Sequence, residues 1–388
     1  MDFSMRTKLV TGYGCLNRIG EIVQGFGVNK VMLCTDSFLD KTKAAADIRD
    51  SLSSKGITCV TYLQPQPEPV DTECDRGAAF CREQGIELIV ALGGGSAMDQ
   101  SKAMAAIVTN NVSCRELDGV PITNRMLPVI CVPTTAGTGS EVTFVSVITN
   151  TEKQYKMTIM DADTLSPDVA ICDPALLETL PKKLIAACGV DALTHAIEAY
   201  TAIPSNPVSS ALALQAIEMI SANLKRCWEC PTDSEAQSNM MLASTMAGSA
   251  FINSDVGAVH AIAETVGVTY HIPHGVANSL FLPYVMEFNR KGFESVYARI
   301  AVQLGVADSN ANDEENSIAA VRFVEQLVKD LEIPSFDSFS SVKTEDFEDI
   351  AQRASVNPLS YDNIKPVSKE DYMGILQDAY QNKRMYVL

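Results

Sequence analysis

The chain has only four histidines, His195, His260, His271 and His274, and all lie within 80 positions of its second half. The segment GVDALTHA puts Asp191 and His195 at i and i+4, on one face of a helix, where they can hold one ion together. His260 opens the small-residue stretch VHAIAETVG, and His271 and His274 belong to a Pro/Gly-bounded turn, HIPHG. Taken singly, such histidines are most often surface or core residues. One carboxylate with three imidazoles is instead a first shell for a divalent transition metal, with a coordination position left open for a substrate oxygen. Ligand softness admits Fe(II), Zn(II), Ni(II), Co(II) or Mn(II).

A second group of residues suits an anion. Gly93-Gly94-Gly95-Ser96 follows an apolar run and opens a helix. Backbone N–H groups at such a turn approach an anion closely, and the helix N-terminus adds partial positive charge. Asp99 stands one turn further on, placed to receive a donor or to cap the first turn. The run alone also reads as a tight strand-to-helix turn, and it is not the G-x-G-x-x-G fingerprint. A second loop, Pro133-Thr134-Thr135-Ala136-Gly137-Thr138-Gly139-Ser140, also follows an apolar strand and is dense in hydroxyls and glycines. Two such loops at the carboxyl ends of neighbouring strands mark where an open α/β sheet binds its ligand. Asp36 ends the first strong strand. It can bond both ribose hydroxyls of an adenosine and repel a 2′-phosphate, favouring NAD over NADP, or it can serve as a turn or N-cap aspartate.

These residues need a scaffold, and the first half reads as alternating strands and helices. Strand signals lie at 30–36, 57–63, 87–96, 127–135 and 168–174, with helices at about 40–54, 71–85 and 97–110. Residues 141–150 have strand chemistry too, of antiparallel type. That alternation predicts a mostly parallel sheet covered by helices on both faces. From Pro181 onward the strand signal stops. KKLIAACGVDALTHAIEAY, SSALALQAIEMISANLKRC, EAQSNMMLASTMAGSAFIN and ENSIAAVRFVEQLVKDL read as helices punctuated by Gly, Pro and Asn. The expected division is an α/β domain over 1–180 and an all-helical domain over 181–388.

Composition narrows the partners. With 30 basic and 48 acidic residues the formal net charge is −18, which opposes phosphate backbones and anionic lipids and argues against nucleic-acid and membrane partners. No apolar run reaches the roughly 18 residues that span a bilayer. The N-terminal residues lack a secretory pattern, so the expected location is cytoplasmic, with the 11 cysteines reduced. Cys227 and Cys230 have the C-x-x-C spacing of thiol redox sites, but no second pair or strand–loop–helix signal accompanies them, and incidental packing is the simpler reading.

Together, GGGSAMD (93–99), PTTAGTGSEVT (133–143), GVDALTHAIEAY (189–200) and VHAIAETVGVTYHIPHGVAN (259–278) resemble the iron-containing alcohol dehydrogenase family, in its order and spacing. The late IPSF (333–336) and NPLSYDNI (357–364) extend the resemblance over essentially the whole chain. It implies a dehydroquinate synthase-like architecture: a Rossmann-like dinucleotide domain, an all-α domain, and metal and nicotinamide meeting in the cleft. It implies metal ligands at Asp191, His195, His260 and His274, with Fe(II) ahead of Zn(II) or Mn(II). Cofactor positions are implied at Asp36, Gly94, Gly95, Ser96, Asp99, Thr134, Thr135, Thr138, Thr143, Lys156 and Leu176. The implied activity is NAD-linked interconversion of a small primary alcohol and its aldehyde, polar or anionic aldehydes included, in a homodimer or larger assembly. A glycerol-type polyol dehydrogenase and a catalytically silent metal-binding subunit are the alternatives. Three positions depart from the family pattern. Glu264 replaces a histidine found near the substrate in many members. Glu68 stands where an asparagine is common and is not counted as a cofactor contact. Leu359 replaces a common arginine. The proton is expected to leave through a relay whose candidates are the side chains of His271 and Glu264, a ribose hydroxyl and ordered water.

Overall fold

The computed structural model describes residues 3–66, 68–153 and 155–382. Two compact units form, Ser4–Thr179 and a helical unit from Leu180 onward.

The first unit is built on six parallel strands in the order β1-β8-β5-β4-β2-β3. The strands are β1 (Lys8–Thr11), β2 (Lys30–Thr35), β3 (Thr58–Leu63), β4 (Leu88–Gly93), β5 (Val129–Pro133) and β8 (Val169–Cys172). Between them run α1 (Ile19–Gln24), α2 (Lys43–Ser54), α3 (Asp71–Gln84) and α4 (Gly95–Asn110). Side chains of a strand alternate between faces, so a sheet covered on both sides needs apolar residues at every position. β2 shows this: Val31 and Leu33 join one core, with Ile19, Ile48 and Leu52, while Met32 and Cys34 join the other, with Cys74, Ala78 and Met104. β4 and β5 divide the same way, Val90 and Val132 against Ala91 and Cys131.

The chain order reverses at β2. Strand β3 lies on one side of it and β4 on the other, so the crevice at the carboxyl ends of β2 and β4 is the switch point where such sheets bind ligands. A separate antiparallel pair, β6 (Val145–Asn150) and β7 (Tyr155–Met160), follows the second loop.

Two strands escape the sequence signal. β1 is only four residues long, and β7 alternates exposed and buried positions, which breaks its apolar run. The strand expected at 141–150 begins at Val145, because Ser140 and Thr143 are drawn instead around the buried Lys102.

The helical unit contains α5 (Lys182–Thr201), α6 (Pro207–Glu229), α7 (Ser234–Phe251), α8 (Ala258–Tyr270), α9 (His274–Arg290), α10 (Glu294–Gln303), α11 (Asp313–Asp330), α12 (Phe347–Ser355) and α13 (Lys369–Tyr380). Helix α5 packs against α6, α7 and α9, and nearly all its residues from Ile185 to Ala199 are buried. None of the described helices is long and apolar enough to cross a membrane. Cys227 is buried and burial pushes its thiol up to about 12, the reverse of a reactive thiolate, while Cys230 is exposed and both are free.

One buried carboxylate pins the α/β unit. Asp71, at the first position of α3, accepts from Arg115 Nε at 2.5 Å, Thr151 Oγ1 at 2.8 Å, Thr72 N at 2.8 Å and Thr151 N at 3.1 Å. Burial alone would raise its carboxyl, but these bonds hold it below the ordinary 3.8. A carboxyl lowered in the folded state contributes stability above its unfolded value, and that stability is lost as pH falls through the folded one. Asp71→Asn is therefore expected to destabilise the unit by about 1.5 kcal/mol at neutral pH, from weakened bonds to a buried carboxylate whose Arg115 partner is partly exposed. Urea melts should show the gap between variant and wild type closing as the pH drops below 4.

Candidate metal centre and nucleotide loop

Helix α5 carries Asp191 and His195, α8 carries His260 near its first turn, and α9 begins at His274. One ligand atom from each of these residues lies within 4.8 Å of the others, a spread matching a first shell around one ion. Asp191, His195 and His260 are buried, while the His274 side chain is 45% exposed. The His195 and His260 rings stack with centroids 4.6 Å apart, and Phe251 closes the other face of His195 at 4.4 Å.

The donor lone pairs converge. The Asn278 amide nitrogen alone lies 2.7 Å from Asp191 Oδ1, 3.1 Å from His260 Nε2 and 3.2 Å from His274 Nε2. A single donor thus meets three of the four ligand atoms. Three imidazoles and one carboxylate at that spacing fit a divalent metal of intermediate softness. Burial by itself pushes the Asp191 carboxyl up, yet the charges of His195, His274 and His260 and the Asn278 bond hold it below the ordinary carboxylate value. For His260, burial works downward, but the bond and charge of Glu198, with Asp191 and Glu264, carry it above the ordinary histidine value. Cys188, beside Asp191, is a neutral thiol pushed up to about 12 by burial and that charge, so it offers no competing thiolate.

Neither of the two side chains named for the proton relay is a member of this ligand group. Glu264, one turn after His260, is half-buried and accepts from Asn357 Nδ2 at 3.2 Å, a residue of the NPLSYDNI segment. His271 is exposed in a left-handed conformation (φ 55°) at the end of α8.

In the α/β unit, Gly94 flanks the N-terminus of α4 without a side-chain cap, leaving the first N–H groups of the helix available to an anion. The two loops touch here. A Cβ on Gly95 would stand 3.0 Å from Thr138 Cγ2 and 3.1 Å from its Oγ1, so any larger residue would press on Thr138 and push the two loops apart. Thr134 N donates to Gly93 O at 3.0 Å, which fastens the second loop to the end of β4. Ser96 follows in the first turn of α4, and Leu176 packs against the core on the α1–α2 face.

Asp36 spends Oδ1 on the N–H groups of Phe38 (2.7 Å) and Leu39 (2.8 Å) as a turn aspartate, and its second oxygen has no hydrogen bond among the described residues. The Asp99 carboxylate turns to protein partners, Ser140 Oγ at 2.6 Å, Val147 N at 3.0 Å and Lys102 Nζ at 3.0 Å. Lys156 pairs with Glu68 at 2.7 Å and Thr149 Oγ1 at 2.8 Å.

Three further residues escape a reading of motifs. Lys102 is fully buried and bonds Ser140 Oγ at 2.9 Å, Ser140 O at 3.1 Å, Thr143 Oγ1 at 3.3 Å and Val145 O, so it holds the second loop in shape. Its only sequence signal is the i+3 spacing from Asp99. Asn278 follows His274 by four and Glu198 follows His195 by three, so helical spacing from the ligands marks both.

One unit of the chain is a parallel α/β sheet with an uncapped glycine turn at its switch point, suited to a dinucleotide, and the other is helical and holds an Asp-His₃ group suited to a metal. Residues 6–174 match the iron-containing alcohol dehydrogenase model, and 185–380 match the C-terminal model of the Fe-containing alcohol dehydrogenase family. The chain belongs to the iron-containing alcohol dehydrogenase family and is an alcohol dehydrogenase, with iron and NAD as the cofactors that the family implies. It is 35% identical to alcohol dehydrogenase 4 of Saccharomyces cerevisiae (strain YJM789), over 95% of this chain and 96% of that one. It is 33% identical to the NAD-dependent methanol dehydrogenase of Bacillus methanolicus, over 97% and 99%. Among solved structures, a 1,3-propanediol oxidoreductase superposes with a TM-score of 0.94 at 34% identity, over 97% of this chain and 99% of that one.

Two substitutions probe the sites separately. His195→Ala removes one of four ligands and is expected to weaken metal binding by more than about 100-fold, beyond the range of outer-shell changes, in chelator competition. Gly95→Ala is expected to raise the NADH dissociation constant about tenfold, near 1.4 kcal/mol, in a fluorescence titration, with metal affinity unchanged.

Proposed function

We propose that this chain interconverts a short, polar primary alcohol and its aldehyde, with NAD(H) held by the α/β unit and a divalent metal held by Asp191, His195, His260 and His274. The observation that carries this reading is the convergence of those four ligand atoms, three of them on the Asn278 amide. When bound, the metal supplies Lewis acidity toward the alcohol or carbonyl oxygen and NAD(H) is the hydride partner.

The chain's own residues do the rest. Gly94, Gly95 and Ser96 offer backbone N–H groups to the pyrophosphate, and Thr134, Thr135 and Thr138 line the same turn with hydroxyls. Asp36 Oδ2 accepts from an adenosine ribose hydroxyl, and its charge disfavours a 2′-phosphate. Lys156 and Leu176 complete the cofactor contacts. Asp99 and Thr143 act through Lys102, by keeping the second loop against the first. Oxidation of the alcohol releases one proton beyond the hydride. Glu264 and His271 are the two side chains of the helical unit that we assign to its removal. The half-buried carboxylate at 264 also favours uncharged hydroxylated substrates over anionic ones.

The test is NADH oxidation with a panel of short aldehydes (unsubstituted, hydroxylated and sulfonated) on apo-protein reloaded separately with Fe(II), Zn(II) and Mn(II). Metal-dependent turnover is expected, fastest with a hydroxylated aldehyde. Metal binding without turnover of any aldehyde would overturn the reading. Glu264→Gln and His271→Gln, profiled against pH, are expected to identify the proton carrier as the one whose loss lowers kcat and removes a limb of the profile.

A further inference from the structure

Glu198 is buried and has no place in the chemistry above. It lies three residues after His195 and seven after Asp191, so α5 presents two metal ligands and this carboxylate on one face. Among the described residues, the hydrogen bonds of its carboxylate go to two consecutive residues of α8. Oε1 accepts from Val259 N at 2.7 Å, while Oε2 meets His260 N at 3.4 Å and His260 Nδ1 at 2.5 Å. Helix α8 has Gly257 at its N-cap and no cap from its own side chain, so Glu198 supplies from another helix the acceptor that the first turn lacks. The partial positive charge of that helix end favours the carboxylate. A Cβ at position 257 would come within 3.1 Å of Glu198 Oε1 and 2.9 Å of Asn363 Oδ1, so glycine there is what lets the carboxylate reach the backbone.

We propose that Glu198 is a positioning residue of the metal centre: it accepts the Nδ1 proton of His260 and thereby leaves the Nε2 lone pair facing Asp191 and His274. A neutral imidazole has one N–H and one lone pair, and the partner of one nitrogen decides the role of the other. A carboxylate offers Nδ1 acceptors only, so Nδ1 carries the proton. Its two bonds to backbone N–H groups keep it from turning away, and they tie the ring's orientation to the start of α8. The inference rests on the metal reading of the four ligands.

Glu198→Gln separates the two tasks. Glutamine can still accept from Val259 N through its carbonyl oxygen, but its NH₂ then faces Nδ1 and favours the opposite tautomer, with the proton on Nε2. Chelator competition is expected to show Zn(II) and Co(II) affinity reduced 10- to 100-fold, the range for outer-shell partners of ligating histidines. The Co(II) absorption bands should shift, while far-UV circular dichroism and the apo-protein's melting temperature stay near wild type. Unchanged metal affinity and Co(II) spectrum would overturn the proposal. If the variant fails to fold, histidine ¹⁵N spectra of the Zn(II)-loaded wild type decide the matter. A protonated Nδ1 in slow exchange at His260 supports the proposal, and a protonated Nε2 overturns it. A wild-type protein that binds neither Zn(II) nor Co(II) would instead refute the metal reading on which it stands.

Discussion

Four electron-rich atoms brought within 4.8 Å of one another repel, three of their residues are buried away from water, and the helical unit is organised around meeting that cost. Asp191 and the imidazoles offset one another's charge, and Asn278 donates one amide into the middle of the group. The ligands come from three helices, so α5, α8 and α9 must approach closely. The alanines of α5 at 186, 187, 192, 196 and 199 and of α8 at 258, 261 and 263 are all buried, and they permit it. Small residues on these faces serve proximity more than apolar burial, which accounts for long helices of high burial and few large side chains.

The nucleotide loops rest on a comparable device of opposite sign. Lys102 is a cation with no exposure, ringed by oxygens of Asp99, Ser140, Thr143 and Val145. A buried charge is tolerated only when its donors are satisfied, and removing one partner leaves the others unpaired. The loop around it is accordingly held in one shape before any ligand arrives. Preformed loops of this kind lower the ordering cost that would otherwise weaken binding.

Much of this was legible in the residues. Uninterrupted apolar runs such as KVMLC and LIVAL marked strands buried on both faces, and their alternation with helices implied the parallel sheet. The Asp191/His195 spacing marked a shared helical face, and the structure brings His260 and His274 to it while leaving His271 outside. What escaped had physical reasons. β1 and β7 are too short or too exposed to carry a pattern. Lys102 looks like an ordinary charge on a helix, since sequence does not show that oxygens 38 and 41 residues downstream enclose it. Glu198 and Asn278 had the right spacing from the ligands. Their partners, however, lie on other helices and become visible only in three dimensions. The turn role of Asp36 was among the readings its position allowed, and it uses one oxygen without consuming the other.

The arrangement of α5 also constrains how such a chain can diverge. Asp191, His195 and Glu198 are read off one helix as if from a ruler, and inserting a single residue among them would turn everything downstream by about 100°. The helix therefore tolerates substitution but not a change of length between residues 191 and 198. His260 and His274 sit on helices reached through turns, where added or lost residues can be absorbed before the next helix begins. Insertions and deletions among related chains should accordingly collect in those turns and in the exposed stretch 307–312, leaving the ruler itself uncut.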